Sequence, residues 1–188
     1  MAEKIALQGF SRVKLFPVLR NDASGYEAGE GFDLPWAQEL SKEQDVTESK
    51  IYADDVLYLN MKSWNGLNST ITMAEMSLAM MAKLGFGEFS ETENTLKWNP
   101  QGENKQFAVT FRCLRADGKY RMYKMYSFTV NEIKESGVKT RGESGDINTY
   151  QLVGTFAGRL LDNMPGEQKD SDGAADLSWL DSVSPASA

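Results

Sequence analysis

The stretch "QFAVTFRCLRADGKYRMYKMYSFTV", residues 106–130, limits the possible folds more than any other. Two apolar-rich runs flank Asp117-Gly118, and an Asp-Gly pair between such runs is a strong short-range signal for a β-hairpin. Side chains alternate across a strand, so Phe107, Val109, Phe111 and Cys113 share one face of the first run, and Tyr120, Met122, Tyr126 and Phe128 one face of the second. The opposite faces are not cleanly polar, since they carry Leu114, Tyr123 and Met125. A hairpin apolar on both faces needs a second cover, from another sheet or another subunit. The expectation is a mainly β, sandwich-like or barrel-like protein.

Other segments fit that class. Residues 10–19, "FSRVKLFPVL", read as a strand that Pro17 confines to an edge or a strand end. Residues 147–160, "INTYQLVGTFAGRL", read as another, with Gly154 and Gly158 allowing bends or close backbone approach. The glycine-bearing stretches at 20–33 and 134–146 read as loops, the first long enough to form an arm at about 20–50. Residues 34–52 carry no pattern that assigns an element. In "LNSTITMAEMSLAMMAKL", residues 67–84, a helix has two possible starts. Thr72 and Glu75 form a capping box, or a strand runs through Met73 and Ser77 caps a shorter helix. Both end at Gly85, which supplies the left-handed position after a helix. The methionines of this stretch read as core filling rather than a cofactor pocket.

Composition removes most catalytic chemistry. There is no histidine and one cysteine, Cys113, which excludes Ser-His-Asp triads, His/Cys zinc sites and intramolecular disulfides. Cys113 lies in an apolar run with no histidine to activate it and reads as a packed small hydrophobe. Of the formal net charge of −7, most sits in residues 162–188, where Asp162, Glu167, Asp170, Asp172, Asp176 and Asp181 face Lys169 alone. The body is nearly neutral and shows no basic stripe for gripping phosphates. No signal-peptide pattern and no long apolar run is present. The expected organisation is a body over 1–161 and a flexible acidic tail over 162–188, in which Trp179 and Leu180 stand out as candidates for docking.

One motif points elsewhere. Tyr52, Asp54 and Asp55 match a Tyr-x-Asp-Asp sequence of the kind that holds paired metal ions in polymerases. A third carboxylate on an adjacent strand and a basic channel are missing, for Asp33 follows a glycine-rich loop and the basic residues do not cluster. The pair reads better as a hydrated corner between strands, with no metal or cofactor expected.

From "YADD" at 52–55, through "LNSTITMAEMSLAMMAKLGFG" and the hairpin "FRCLRADGKYRMYKMYSFTVNE", to "KTRGESGDINTYQLVGTFAGRL", the order and spacing resemble the major tail tube protein family of long, non-contractile-tailed bacteriophages. The resemblance covers roughly residues 50–161 and favours the helix start at Ser77. It implies a β-sandwich-like tail tube fold with one short packed helix. Such subunits assemble as homohexameric rings stacked into a hollow tube, together with a tape measure protein and other tail proteins. The implied place is the virion, assembled in the host cytoplasm without a membrane. Double-stranded DNA would pass without specific binding, so an acidic or neutral wall is expected. Asp54, Asp55, Glu88, Glu91 and Glu93 are the candidate lumen or interface acids, and Phe107, Phe111, Tyr120, Tyr123, Tyr126 and Phe128 the candidate inter-subunit strand surface. A small soluble β-rich binding domain is the alternative, and a metal-dependent nucleotidyl transferase ranks last.

Overall fold

The computed structural model describes residues 6–99, 104–136, 148–171 and 174–183. The chain is mainly β: among the described residues it has one nine-stranded antiparallel sheet, one two-stranded sheet, one short α-helix and a 3-10 helix near the C-terminus. The large sheet contains β1 (Leu7–Asp22), β2 (Gly25–Ala28), β3 (Phe32–Asp33), β4 (Ala37–Ala53) and β5 (Val56–Met73). The helix α1 (Leu78–Lys83) and the small hairpin of β6 (Gly87–Ser90) with β7 (Thr95–Trp98) follow. Then come β8 (Gln106–Arg115), β9 (Tyr120–Glu135), β10 (Tyr150–Ala157), β11 (Gly166–Ser171) and the 3-10 helix Ala174–Asp181. The large sheet runs β2-β1-β8-β9-β10-β5-β4, with β3 on β1 and β11 on β9.

The expected hairpin is β8–β9, and Gly118 takes a positive φ of 83° in its turn. Both strands are central, however. β8 lies between β1 and β9, and β9 between β8 and the line formed by β10 and β11. The pairing Phe107↔Phe128 is followed by Val109↔Met125, so β9 bulges at Tyr126 and Ser127. A bulge resets which side chains face inward. Tyr123 and Met125 therefore join Phe107, Val109, Phe111 and Phe128 in the core, and Phe111 stacks on Tyr123 at a centroid distance of 4.6 Å. This corrects the expected grouping of Tyr120, Met122, Tyr126 and Phe128 on one face.

Pro17 does not end β1. It marks where the strand changes partners, from β8 up to Pro17 to β2 from Val18 onward, so its missing N–H falls at a break in the ladder. The stretch expected as an arm from residue 20 is instead compact at first: β1 and β2 form a tight hairpin, and Leu34 is buried with its N–H donated to the Val13 carbonyl.

The helix starts at the second of its two possible sites. The Ser77 hydroxyl accepts the Met80 N–H, and β5 runs through Met73. At its other end Gly85 (φ 96°) donates to Ala82 O and Phe86 donates to Met81 O, the paired bonds of a Schellman stop. Met73, Met76, Met81 and Leu84 pack into the main core with Ile71, Leu152 and Phe156.

β10 and β11 form one line along β9, interrupted at Tyr126 by residues 158–165. Gly154 sits where this line is tightest, because a Cβ there would lie 2.3 Å from the Thr129 carbonyl oxygen. The excursion is pinned by Arg159, which is 4% exposed, forks onto Asp162 at 2.9 and 2.6 Å and lies 4.0 Å over the Tyr126 ring.

The acidic C-terminal segment is built into the body rather than trailing from Asp162, which corrects the expected boundary for residues 166–171 and 174–183. β11 completes the sheet, Asp170 pairs with Arg121 and Arg115, and Asp181 pairs with Lys14 and Arg12. Leu180 is fully buried, its carbonyl accepting the Thr110 hydroxyl, and Val183 packs on Phe16 and Ala108. The expected loop at 134–146 lies outside the described residues from 137 onward, as does the C-terminus from 184.

Candidate assembly surface

The unassigned stretch at 34–52 is the most distinctive part of the molecule. β4 and β5 pair from Ala37↔Met73 to Ala53↔Val56, and every residue from 41 to 65 is exposed. The hairpin leaves the body as a two-stranded arm of about 40 Å, at roughly 3.3 Å per residue. Its root is Gly66, buried at φ 146°, where a Cβ would come 2.8 Å from the Phe156 carbonyl oxygen. The pairing shifts there, and the extra residue, Asn65, donates to the Thr47 hydroxyl at 2.7 Å. Asp54 and Asp55 form the apex. Both have positive φ, 50° and 62°, as a two-residue type I′ loop requires, and Asp tolerates that region better than most residues.

Pairing and alternation assign the arm's faces. One carries Val46 opposite Trp64, Glu48 opposite Lys62, and Tyr52 opposite Leu57. Lys62 donates to Glu48 at 2.8 Å; that hydrogen bond and then the lysine charge lower the Glu48 pKa, and the same bond and then the carboxylate charge raise that of Lys62. The other face is apolar toward the apex, with Met61, then Ile51 opposite Leu59, then Ala53 opposite Val56. Tyr58 is the extra residue of a second shift and is 76% exposed. An isolated two-stranded hairpin is marginal in water, and this one carries apolar side chains that the described residues of its own chain leave uncovered.

The remaining candidates separate. Glu88 lies on β6 opposite Lys97, and Glu91 and Glu93 sit in the β6–β7 turn, all exposed. None of Asp54, Asp55, Glu88, Glu91 and Glu93 makes an ion pair among the described residues, and no cluster of three or more potential metal ligands occurs among them. Phe107, Phe111, Tyr123, Tyr126 and Phe128 are buried within the single chain, and Tyr120 is half-buried against Arg112. They are not an open inter-subunit surface. Their outer neighbours are covered by the chain's own C-terminal segment, where Lys124 lies 4.2 Å from the Trp179 ring. Trp179 and Leu180, the candidates for docking, are seated on the β8–β9 face of their own chain.

The sequence reasoning missed Val46, Ile51, Tyr58, Leu59, Met61 and Trp64. The usable signal was the Asp-Asp pair itself, a two-residue polar break between apolar runs that fits a hairpin apex.

A smaller feature lies at the seam between β1 and β4. A cleft of about 380 Å³ is lined by Phe10, Leu40, Phe111, Cys113, Tyr123 and Lys42, whose Nζ lies 4.7 Å from the Tyr123 centroid. Although Lys42 is exposed as a residue, its ammonium lies over the Phe111 and Tyr123 rings, and that local desolvation lowers its pKa, while burial raises that of the Cys113 thiol.

No protein-family model matches the chain, and no curated protein matches it. Among solved structures, the fold is similar to a chain of the anti-feeding prophage baseplate (TM-score 0.45, 7% identity, 90% of this chain and 97% of that one). It is similar also to the cap that terminates the anti-feeding prophage tube (TM-score 0.44, 11% identity, 83% and 88% covered). An Hcp protein is a third neighbour (TM-score 0.35, 8% identity, 86% and 100% covered). No described helix is long and apolar enough to cross a membrane.

Proposed function

We propose that this chain is a structural subunit that assembles with copies of itself through the β4–β5 arm, forming stacked hexameric rings of a phage tail tube. The observation that carries the reading is the arm: residues 41–65 are exposed throughout and present Ile51, Val56, Leu59 and Met61 on one face with nothing of their own chain against it. Burying that face on a neighbour stabilises both the arm and the assembly. The ordered motifs over residues 50–161 supply the specific form, a tube that conducts double-stranded DNA during genome ejection, with a tape measure protein and other tail proteins as partners in the virion. The reading assigns the chain no catalytic role, since its distinctive surface is an arm rather than a cleft with converging titratable groups.

The test is sedimentation velocity and negative-stain electron microscopy of the purified chain over a range of concentrations. Rings or tubes with a central channel are expected, and removal of residues 44–65 should leave a folded monomer. A wild-type chain that stays monomeric at high concentration would refute the reading and favour the binding-domain alternative.

A further inference from the structure

The excursion at 158–165, between β10 and β11, has a rigid polar interior and an apolar rim. Asn163 N–H donates to the Arg159 carbonyl at 2.7 Å, Arg159 N–H to the Met164 carbonyl at 3.0 Å, and Met164 N–H to the Asp162 carboxylate at 3.1 Å. Leu160 N–H is held by the Asn21 side-chain carbonyl at 2.9 Å, and Asn163, at φ 55°, turns the chain back. Arg159 and Asp162 spend their charges on each other through a forked pair. The residues left to water are Leu160, Leu161 and Met164, which are 67%, 39% and 38% exposed. Exposed positions of a tight turn normally go to polar residues, so three apolar ones on a turn this firmly held make a preset contact surface. Among the described residues of the body, no other stretch places three exposed large apolar residues within five positions.

The same chain presents a surface that matches this rim. The arm face bearing Ile51, Leu59 and Met61 holds no charged residue from the Thr47–Ser63 pair out to the Ala53–Val56 pair, whereas the opposite face carries Glu48, Lys50 and Lys62. An uncharged face can cover the rim without stranding a charge, because Arg159 and Asp162 already satisfy each other. The arm cannot supply that cover to its own chain. The excursion begins two residues after Phe156, whose partner Leu67 adjoins the arm's root at Gly66. Met61, Ile51 and Leu59 lie roughly 16–23 Å farther out along the ladder, at about 3.3 Å per residue. We infer that the excursion at 158–165 receives the uncharged arm face of a second copy, Leu160, Leu161 and Met164 packing against Ile51, Leu59 and Met61. This rests on the assembly reading above and gives the arm its receptor. Each copy then offers one arm face and one receptor beside an arm root, so contacts run head to tail and generate a closed ring or a stack rather than a two-fold dimer.

The test uses the full chain and measures self-association by sedimentation velocity. Leu160→Ser with Leu161→Ser removes exposed surface equal to about one whole leucine side chain, so association is expected to weaken about 10- to 100-fold. Urea denaturation of the monomer should stay close to wild type, since both side chains are exposed there. Combined with Ile51→Thr and Leu59→Thr, the loss should be no more than about threefold greater than that of the more damaging pair alone, because both pairs remove the same contact. In a Cys113→Ser background, copies carrying Leu160→Cys mixed with copies carrying Leu59→Cys should form a disulfide-linked dimer under mild oxidation, and neither variant should link to itself. Unchanged association, additive losses, linkage within one variant alone, or linkage of Leu59→Cys to Leu7→Cys in place of Leu160→Cys would overturn the inference while leaving the assembly reading intact. A wild type that never associates removes both.

Discussion

Replacing Ile51 and Leu59 together by threonine separates assembly from folding. These residues face each other across the arm and are 46% and 41% exposed, so each holds back a little under half of its burial energy in the isolated chain. Full burial of such a side chain contributes about 1.5–3 kcal/mol, which leaves about 0.6–1.4 kcal/mol per residue to be gained on docking. The pair therefore carries roughly 1.2–2.8 kcal/mol per contact, and the double variant should associate about 10- to 100-fold more weakly. Threonine keeps β-branching at Ile51 and introduces it at Leu59, so the strand preference of the arm is not penalised. Removing two half-exposed side chains from a protruding hairpin should shift unfolding of the body by no more than about 0.5 kcal/mol. Sedimentation velocity reads the first quantity and urea denaturation of the monomer the second. A variant that assembles like the wild type, or whose body loses stability in step with association, refutes the argument that the arm's apolar face is reserved for a neighbour.

Other outcomes follow from the body. Gly154→Ala should destabilise the monomer by about 3 kcal/mol in urea denaturation, because its Cβ would stand 2.3 Å from the Thr129 carbonyl and 2.6 Å from the Phe128 ring, both held in central strands. Asp181 has its pKa lowered, first by the hydrogen bond from Lys14, opposed by partial burial and assisted by the Arg12 charge. A lowered carboxylate stabilises the fold above its unfolded pKa and loses that contribution as pH falls through the folded value, so Asp181→Asn should flatten the acid side of the stability profile below about pH 4. Amide hydrogen exchange should be fast across 41–65 in the monomer and slow on assembly, with β8 and β9 protected in both states.

What was legible in the sequence was local. Asp117-Gly118 marked the β8–β9 turn, and Ser77 and Gly85 marked the ends of α1, because each needs only a few neighbouring residues to act. The inward side of β9 was not legible. Strict alternation puts Phe128 with Tyr126, and only the pairing of Phe128 with Phe107 across the bulge shows that they face opposite ways. The arm escaped notice because β4 has no face buried by its own chain, so "SKEQDVTESK" carries no period for a core to impose. The tail was misread by composition. Its mean polarity suggests disorder, but Leu180 and Val183 are buried and Asp170 and Asp181 meet arginine and lysine partners contributed by distant strands.

Those pairings also change what the net charge of −7 means. Asp162, Asp170 and Asp181 are held by Arg159, Arg121 and Arg115, and Lys14 and Arg12, so much of the tail's negative charge is spent inside the subunit. Asp54, Asp55, Glu88, Glu91 and Glu93, which make no ion pair among the described residues, lie on the two elements that carry exposed hairpin turns. In the proposed assembly, exposed charges on protrusions would steer approach and reject wrong partners more than they add affinity, while the apolar arm face would supply the driving force. The body has its central strands paired on both sides and its outer face covered by its own C-terminal segment, so the proposed docking of the arm would not require it to open. In the proposed assembly, folding and association would draw on different residues, so substitutions at Ile51 or Asp54 test association without first compromising the fold.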